Sequence, residues 1–419
     1  MNDEKMRRRV GWLLASVFAL AALSPQVGAI ADLPDALVME TGGVASVEVS
    51  LPLSAQVSGE APGVARVDRS GGSSLSVTAG EESGTAEVEF RLLGLLPVKT
   101  MTVTVERPKV LVPGGQSLGV AVETEGLVVV GSSDLGTVTS PARKAGIQPG
   151  DVIRAVDGTP VSRSEQLTEL LEAGKTARVT VARDGETMDL DVTPAIDPRD
   201  EVCKMGVWVR QSTAGVGTLT FYDPESHGYG ALGHAITDVD TGIAFPVGEG
   251  AVYENEVVQI TRGAEGKPGE LTGAFFEQEV VLGEIERNTD YGIFGGAEDA
   301  LTDGALYPEG LPVGTRSDIH TGSAQILTTL DGGKVEAFDC EIEKLYDQSE
   351  PATRSMVVRI TDPELLERTG GIVQGMSGSP ILQDGRIVGA VTHVFVSDPT
   401  RGYGVYIEWM LDAAQGEAA

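Results

Sequence analysis

Between Ser46 and Val105, apolar and polar residues alternate in short runs: Ser46 to Leu53, Ser74 to Ala79, Ala86 to Leu93 and Lys99 to Val105. Clusters of Gly, Ser, Pro and Glu separate them. A period of two turns one face of a strand to a core and the other to water, so this pattern predicts a small all-β domain over 32–108. No constellation of polar residues there suggests chemistry, and the plain reading is a spacer or docking module. From Val110 the pattern changes, and Ser164 to Ala173 carries Leu167, Leu170 and Leu171 at the spacing of one buried helical face, with Ser164 placed to cap it. Beyond residue 200 the text is again Gly-rich and β-patterned. Its clearest part is Ser379-Pro380-Ile381-Leu382, the turn Asp384-Gly385, and the apolar positions Ile387, Val388, Ala390, Val391 and Val394, which together predict a β-hairpin.

The N-terminus has a different pattern. Lys5, Arg7, Arg8 and Arg9 precede an apolar run from Val10 to Leu23, followed by small residues around Ala29-Ile30-Ala31. That order predicts an export signal over 1–31. The run is shorter than the roughly 20 residues that cross a bilayer comfortably, which favours a signal peptide over a lasting anchor, with an uncleaved anchor as the alternative. The chain is therefore expected to work outside the cytosol.

Length and charge narrow the classes. A chain of 419 residues carries two to four domains, and a formal net charge of -31 repels phosphate backbones and anionic headgroups, so no nucleic-acid partner is expected. Only two cysteines occur, Cys203 and Cys340, as one disulfide or as two free thiols. With four histidines and no paired Cys-x-x-Cys, no metal site and no cofactor is expected.

The run Lys144-Ala145-Gly146-Ile147-Gln148-Pro149-Gly150-Asp151-Val152-Ile153, then Val156-Asp157-Gly158 and the helix from Ser164, resembles a PDZ domain over 109–196. Such domains bind peptides by adding a strand to an exposed edge, with loop amides receiving the peptide carboxylate. By that resemblance the peptide-binding loop is Ser117-Leu118-Gly119-Val120; an ordinary strand entry is the alternative.

The residues that can do chemistry lie near the C-terminus. A serine hydroxyl needs a base to remove its proton and fixed N–H donors for the resulting oxyanion. Gly375-Met376-Ser377-Gly378-Ser379-Pro380 offers a serine between glycines that let the backbone bend, with Ser379 as the alternative nucleophile. The Gly-x-Ser-Gly-x-Pro shape resembles chymotrypsin-like peptidases, which implies an oxyanion hole from the amides of Gly375 and Ser377. The base must come from His227, His234, His320 or His393. His227 and His320 lie in polar text, His393 lies on an apolar strand, and His234 follows the small-residue turn Gly230-Ala231-Leu232-Gly233.

Several long motifs look like the stage IV sporulation protein B peptidases: Gly230-Ala231-Leu232-Gly233-His234, Ile360-Thr361-Asp362-Pro363, Gly370 through Pro380, Gly389 through Val396, Gly402-Tyr403-Gly404-Val405 and Ile407-Glu408-Trp409-Met410. The resemblance covers the PDZ-like unit and the C-terminal part, the N-terminal third matching only in outline. Together with the β-rich N-terminal domain read above, it implies a mainly β fold, with a PDZ domain and a chymotrypsin-like β-barrel serine peptidase domain over 200–419. It implies an exported serine endopeptidase acting between forespore and mother cell. Its partners would be itself, through self-cleavage, and a membrane-bound regulator of an intramembrane metalloprotease, so that a sigma factor is activated during endospore formation. Carried over, His234 is the general base, Ser377 the nucleophile and Asp362 the residue that orients the imidazole, with Asp238 as the fallback. Asp362 precedes a proline and a helical-looking Glu364-Leu365-Leu366-Glu367, so a helix cap is the competing reading. A non-catalytic PDZ adaptor is the alternative function. The stretch from Gly263 to Gly296 is open between a substrate loop and a structural insertion.

Overall fold

A computed structural model describes residues 33–48, 53–58, 63–69, 74–92, 94–274 and 280–416. The export signal expected over 1–31 lies outside the described residues. No helix among the described residues is long and apolar enough to cross a membrane. The chain forms two compact units, Met1–Lys109 and Val110–Ala419.

In the first unit, strands Ala36–Glu40, Leu96–Glu106, Gly84–Leu92 and Leu53–Ser58 form one sheet, and Val44–Glu48, Ser74–Ala79 and Ala65–Arg69 form another. The alternation in the sequence becomes alternate burial: Leu75, Val77 and Ala79 face the core with Val88, Phe90, Met101 and Val103.

The second unit joins the PDZ-like and peptidase-like segments through two long strands, Ser117–Ser132 and Val207–Asp223. They pair antiparallel from Val207 opposite Ser132 to Thr218 opposite Ser117, with two irregularities in register. The PDZ-like part is completed by strands Val152–Val156, Ala177–Arg183 and Glu186–Val192 and by helices Pro141–Ala145 and Ser164–Leu170. Buried Asp151 explains the Gly-x-x-Pro-Gly-Asp turn: its carboxylate accepts from the Gln148 amide at 2.9 Å and from Arg183 at 2.6 and 2.7 Å, tying the turn to a neighbouring strand. The following helix starts one residue earlier than its expected cap implies. Arg163 is the cap position, Ser164 is the first helical residue, and the Gln166 side chain accepts from the Ser162 and Arg163 amides.

Strands Gly322–Thr329, Val335–Leu345, Met356–Ile360, Asp398–Tyr406, Arg386–Phe395 and Pro380–Gln383 close a six-stranded barrel around Ile326, Ile342, Val358, Ile381 and Val405. The fold is thus mainly β, with a PDZ part and a peptidase barrel. The predicted hairpin is its last-named pair. Asp384 and Gly385 take φ of 50° and 75°, the left-handed pair of a two-residue hairpin turn. Cys203 and Cys340 are free thiols, and burial, helped by Asp339, pushes the Cys340 thiol well above its ordinary range.

The structure corrects one binding assignment. Ser117-Leu118-Gly119-Val120 is not a loop with open amides: it pairs on one side with Thr218–Gly215 and, from Leu118 on, with Glu254–Val252 on the other. Leu118 is 1% exposed. A segment whose two edges are already paired has no edge to offer a peptide.

Candidate active site

The segment from Gln374 to Gly378 is held carbonyl by carbonyl. Gln374 O accepts from the Leu271 amide at 2.8 Å, and Gly375 O from the Thr218 hydroxyl at 2.7 Å. Met376 O accepts from the Ser379 amide at 3.0 Å, Ser377 O from the Thr218 amide at 3.0 Å, and Gly378 O from the Thr220 hydroxyl at 2.7 Å. The amides of Gln374, Met376 and Gly378 are also engaged, by Gly269, Val373 and Val391. The two that remain, those of Gly375 and Ser377, donate to no protein acceptor among the described residues. Two unpaired amides in one fixed loop are donors of the kind an oxyanion needs.

Glycine is required at both bends. Gly375 and Gly378 each have φ of 96°, and a Cβ on Gly378 would sit 2.1 Å from Thr218 O and 2.5 Å from the Leu232 amide. Strand Glu270–Ala274, which lies in the stretch left open by the sequence and pairs with Glu256–Thr261 just before it, supplies Leu271 and so buttresses this loop.

Ser377 is half-buried, and its hydroxyl donates to the Thr392 carbonyl at 2.8 Å. Ser379 is fully buried, at 0% exposure, so no substrate reaches its hydroxyl. That removes the alternative nucleophile.

His234 leaves a turn in which Leu232 and Gly233 both have positive φ, 71° and 69°. Its Nδ1 lies 2.8 Å from the Ala235 carbonyl. A carbonyl can only accept, so Nδ1 carries the proton and Nε2 keeps its lone pair. Burial lowers the His234 pKa below its ordinary value, against the opposing pull of the Ala235 carbonyl. The imidazole is thereby kept neutral, as a general base must be.

The His393 ring sits 4.9 Å from that of His234, tilted by 41°. Partial burial, the neighbouring His234 and Arg354 all lower its pKa as well. His234, His393, Thr392, Gly375 and Ser377 all line one cavity of about 470 Å³, walled on another side by Thr213 to Val216. The structure therefore brings His234, Ser377 and Gly375 together.

It does not bring Asp362 to them. That carboxylate caps helix Pro363–Thr369, accepting from the Glu364 and Leu365 amides at 2.9 and 3.0 Å, and no hydrogen bond or ion pair joins it to His234. Asp238 is occupied too. Burial raises its pKa, but the Thr241 and Asp240 hydrogen bonds and the Arg210 charge outweigh that and leave it lowered. His227 bonds Tyr222 at 2.8 Å and His320 bonds Asp384 at 2.8 Å, both at exposed positions. Among the described residues no group of His, Cys, Asp and Glu is placed to hold a metal ion.

A second cleft, of about 430 Å³, lies between helix Ser164–Leu170 and the segment Cys203 to Val209. Over Val207 to Arg210 the long strand pairs with Ser132 to Val128 on one side and with no strand on the other among the described residues. Just before it, Gly206 has φ of 69°, and the Met205 and Gly206 amides donate to no protein acceptor among the described residues. Sequence reasoning missed this cleft, although Met205-Gly206-Val207 repeats the apolar-Gly-apolar signal of Leu118-Gly119-Val120.

Residues 201–411 match the family described as SpoIVB peptidase S55, and residues 116–193 match the PDZ domain family. A probable periplasmic serine endoprotease, DegP-like, of Brucella suis is 36% identical over 132 residues, 30% of this chain and 24% of that protein. A DegP-like protease of Pseudomonas fluorescens is 31% identical over 117 residues, 26% of this chain and 25% of that protein. The chain thus spans about a quarter of the length of these curated relatives. Among solved structures, the active form of the Rv3671c protease from M. tuberculosis is similar at 16% identity and a TM-score of 0.27, over 49% of this chain and 75% of that one.

Proposed function

This chain belongs to the SpoIVB peptidase S55 family and is a serine endopeptidase with a PDZ domain, and from that premise we propose the residues, targets and setting of its reaction. Ser377 is the nucleophile and His234 the base. The Ser377 hydroxyl turns from the Thr392 carbonyl and attacks the substrate carbonyl as its proton passes to His234 Nε2. The oxyanion is received by the Gly375 and Ser377 amides. The imidazolium then gives the proton to the leaving amine, and water, activated in the same way, releases the acyl group from Ser377. The Ala235 carbonyl keeps the proton on Nδ1 throughout. What supports this reading above all is that the only unpaired amides between Gln374 and Gly378 flank Met376 in the loop of Ser377 and line the cavity of His234.

The targets that fit the family resemblance are the chain itself and a membrane-bound regulator of an intramembrane metalloprotease. The setting is the space between forespore and mother cell, reached by export, and the outcome is sigma-factor activation during endospore formation. An extended peptide of the target or of a second copy adds to the open edge at Val207 to Arg210, with its carboxylate toward Met205 and Gly206. Ser377→Ala tests the whole reading. The purified variant should stay folded, generate no new N-termini of its own, and leave the regulator uncut. Self-cleavage retained by that variant would refute it.

A further inference from the structure

Thr218 touches both halves of the site at once. It is 1% exposed and lies on the strand Val207–Asp223. Its amide donates to Ser377 O at 3.0 Å and its hydroxyl donates to Gly375 O at 2.7 Å. Its carbonyl accepts from the Leu232 amide at 3.2 Å, two residues before His234. One residue therefore fastens the nucleophile loop with two donors and the base turn with its acceptor.

We propose that Thr218 is a positioning residue for peptide hydrolysis, an inference that rests on the reading of Ser377 and His234 given above. The peptide plane between Gly375 and Met376 separates the two unpaired amides. Its carbonyl is held by the Thr218 hydroxyl, and its N–H by Val373 O at 3.1 Å. Released from the hydroxyl, that plane keeps only its N–H bond to Val373 O, and beside a glycine already at φ of 96° it can tilt, which re-aims the unpaired amides on either side of it.

The surroundings keep the strand from yielding instead. A Cβ on the preceding Gly217 would lie 1.9 Å from the Leu232 side chain, so the strand is pressed against the base turn. Branching at Cβ restricts the Thr218 rotamer and so holds the hydroxyl on its acceptor. Thr220 repeats the device once, at Gly378 O, but reaches only the far side of Ser377. Positioning of this kind acts on the transition state, because the ground-state carbonyl carries little of the charge the amides are aimed at.

The test is the rate at which a fluorophosphonate labels Ser377. In that step the Ser377 oxygen bonds to phosphorus as the P–F bond breaks, fluoride leaves, His234 takes the hydroxyl proton, and the phosphoryl oxygen occupies the oxyanion position. Thr218→Val keeps the shape and removes the hydroxyl. Its saturating labelling rate should fall about 10- to 100-fold, with the half-saturating probe concentration unchanged within about twofold. Thr218→Ser, which keeps the donor, should recover to within about threefold of the parent. Thr218→Cys, a weaker donor of similar size, should fall between them, and it serves if the valine variant does not fold. Parent-like rates in folded Thr218→Val or Thr218→Cys overturn the proposal, as does a Thr218→Ser variant as slow as the valine one. Failure of the parent protein to label at Ser377, or equal labelling of Ser377→Ala, overturns instead the reading of the site itself.

Discussion

The imidazoles of His234 and His393 lie with centroids 4.9 Å apart and tilted by 41°, and the neighbouring His234 is one cause of the lowered His393 pKa. Burial is the larger cause for both, and it keeps His234 neutral below the ordinary histidine pKa of about 6.5. A base that stays neutral lets the enzyme work in mild acid. The acidic limb of kcat/KM for cleavage of an unfolded protein such as casein should therefore fall below pH 6.5. A limb centred at or above that value would contradict the assignment of His234 as base.

The same shifts act on stability. Above the unfolded pKa both states leave the histidine neutral, and nothing is lost. As the pH falls from about 6.5 through the lower folded value, the unfolded chain takes up protons that the folded chain refuses, so the folded state loses ground. Urea melts at pH 7.5 and pH 5 should show the midpoint falling in acid, and His234→Gln should flatten that fall.

Asp362 separates two roles that one sequence cannot. As a cap it satisfies two amides of helix Pro363–Thr369, and Asp362→Ala should cost about 1 kcal/mol in urea unfolding. Asp362→Ser keeps an oxygen for the cap, so its stability should stay within about 0.5 kcal/mol of the parent. With no contact to His234, the serine variant should also keep its kcat. A fall in kcat in that folded variant would return Asp362 to the orienting role that the family resemblance implies.

How far the sequence reached follows from whether a feature is local. The hairpin around Asp384-Gly385 and the turn at Asp151 were legible because a left-handed turn and a buried carboxylate leave their marks within a few residues. Ser377 stood out because glycine is demanded on both sides of it. Asp362 reads two ways because Asp-Pro starts a helix as well as it marks a motif. The PDZ-like edge was misplaced because pairing is long-range. Met205-Gly206-Val207 and Leu118-Gly119-Val120 carry the same pattern, and only the partners of each strand tell an open edge from a closed one. Thr218 was invisible, since a threonine in a β run is what any strand offers.

That ambiguity has an experimental form. Leu118 is buried between two strands, so Leu118→Ala should lower stability by about 2 to 5 kcal/mol through the cavity it leaves. Trp208 lines the second cleft at 63% exposure, with one bond from its ring N–H to Ser133 at 3.0 Å. Trp208→Ala should therefore leave the melting temperature within a few degrees while weakening a C-terminal peptide, selected from a display library, at least about tenfold in fluorescence polarisation. Unchanged affinity in the folded Trp208 variant would move the peptide site away from this cleft.

Gly378 offers the sharpest test of the packing around the nucleophile. Its φ of 96° is strained for any side chain, and a methyl group there meets Thr218 O at 2.1 Å and the Leu232 amide at 2.5 Å. Those two atoms belong to the strand and to the base turn, and neither is a flexible side chain that can swing aside. Gly378→Ala must push the two apart, at a cost above about 2 kcal/mol, and it moves Leu232 and with it His234. The variant should lose stability in urea and, at temperatures where it is still folded, lose most of its kcat. Gly385→Ala is the matched control: its φ is also positive, at 75°, but a methyl group there meets nothing within 4 Å. It should pay only the backbone strain, about 1 to 2 kcal/mol, and keep its kcat. Equal loss of activity in the two variants would show that stability alone, and not the contact between strand, loop and base turn, limits the enzyme.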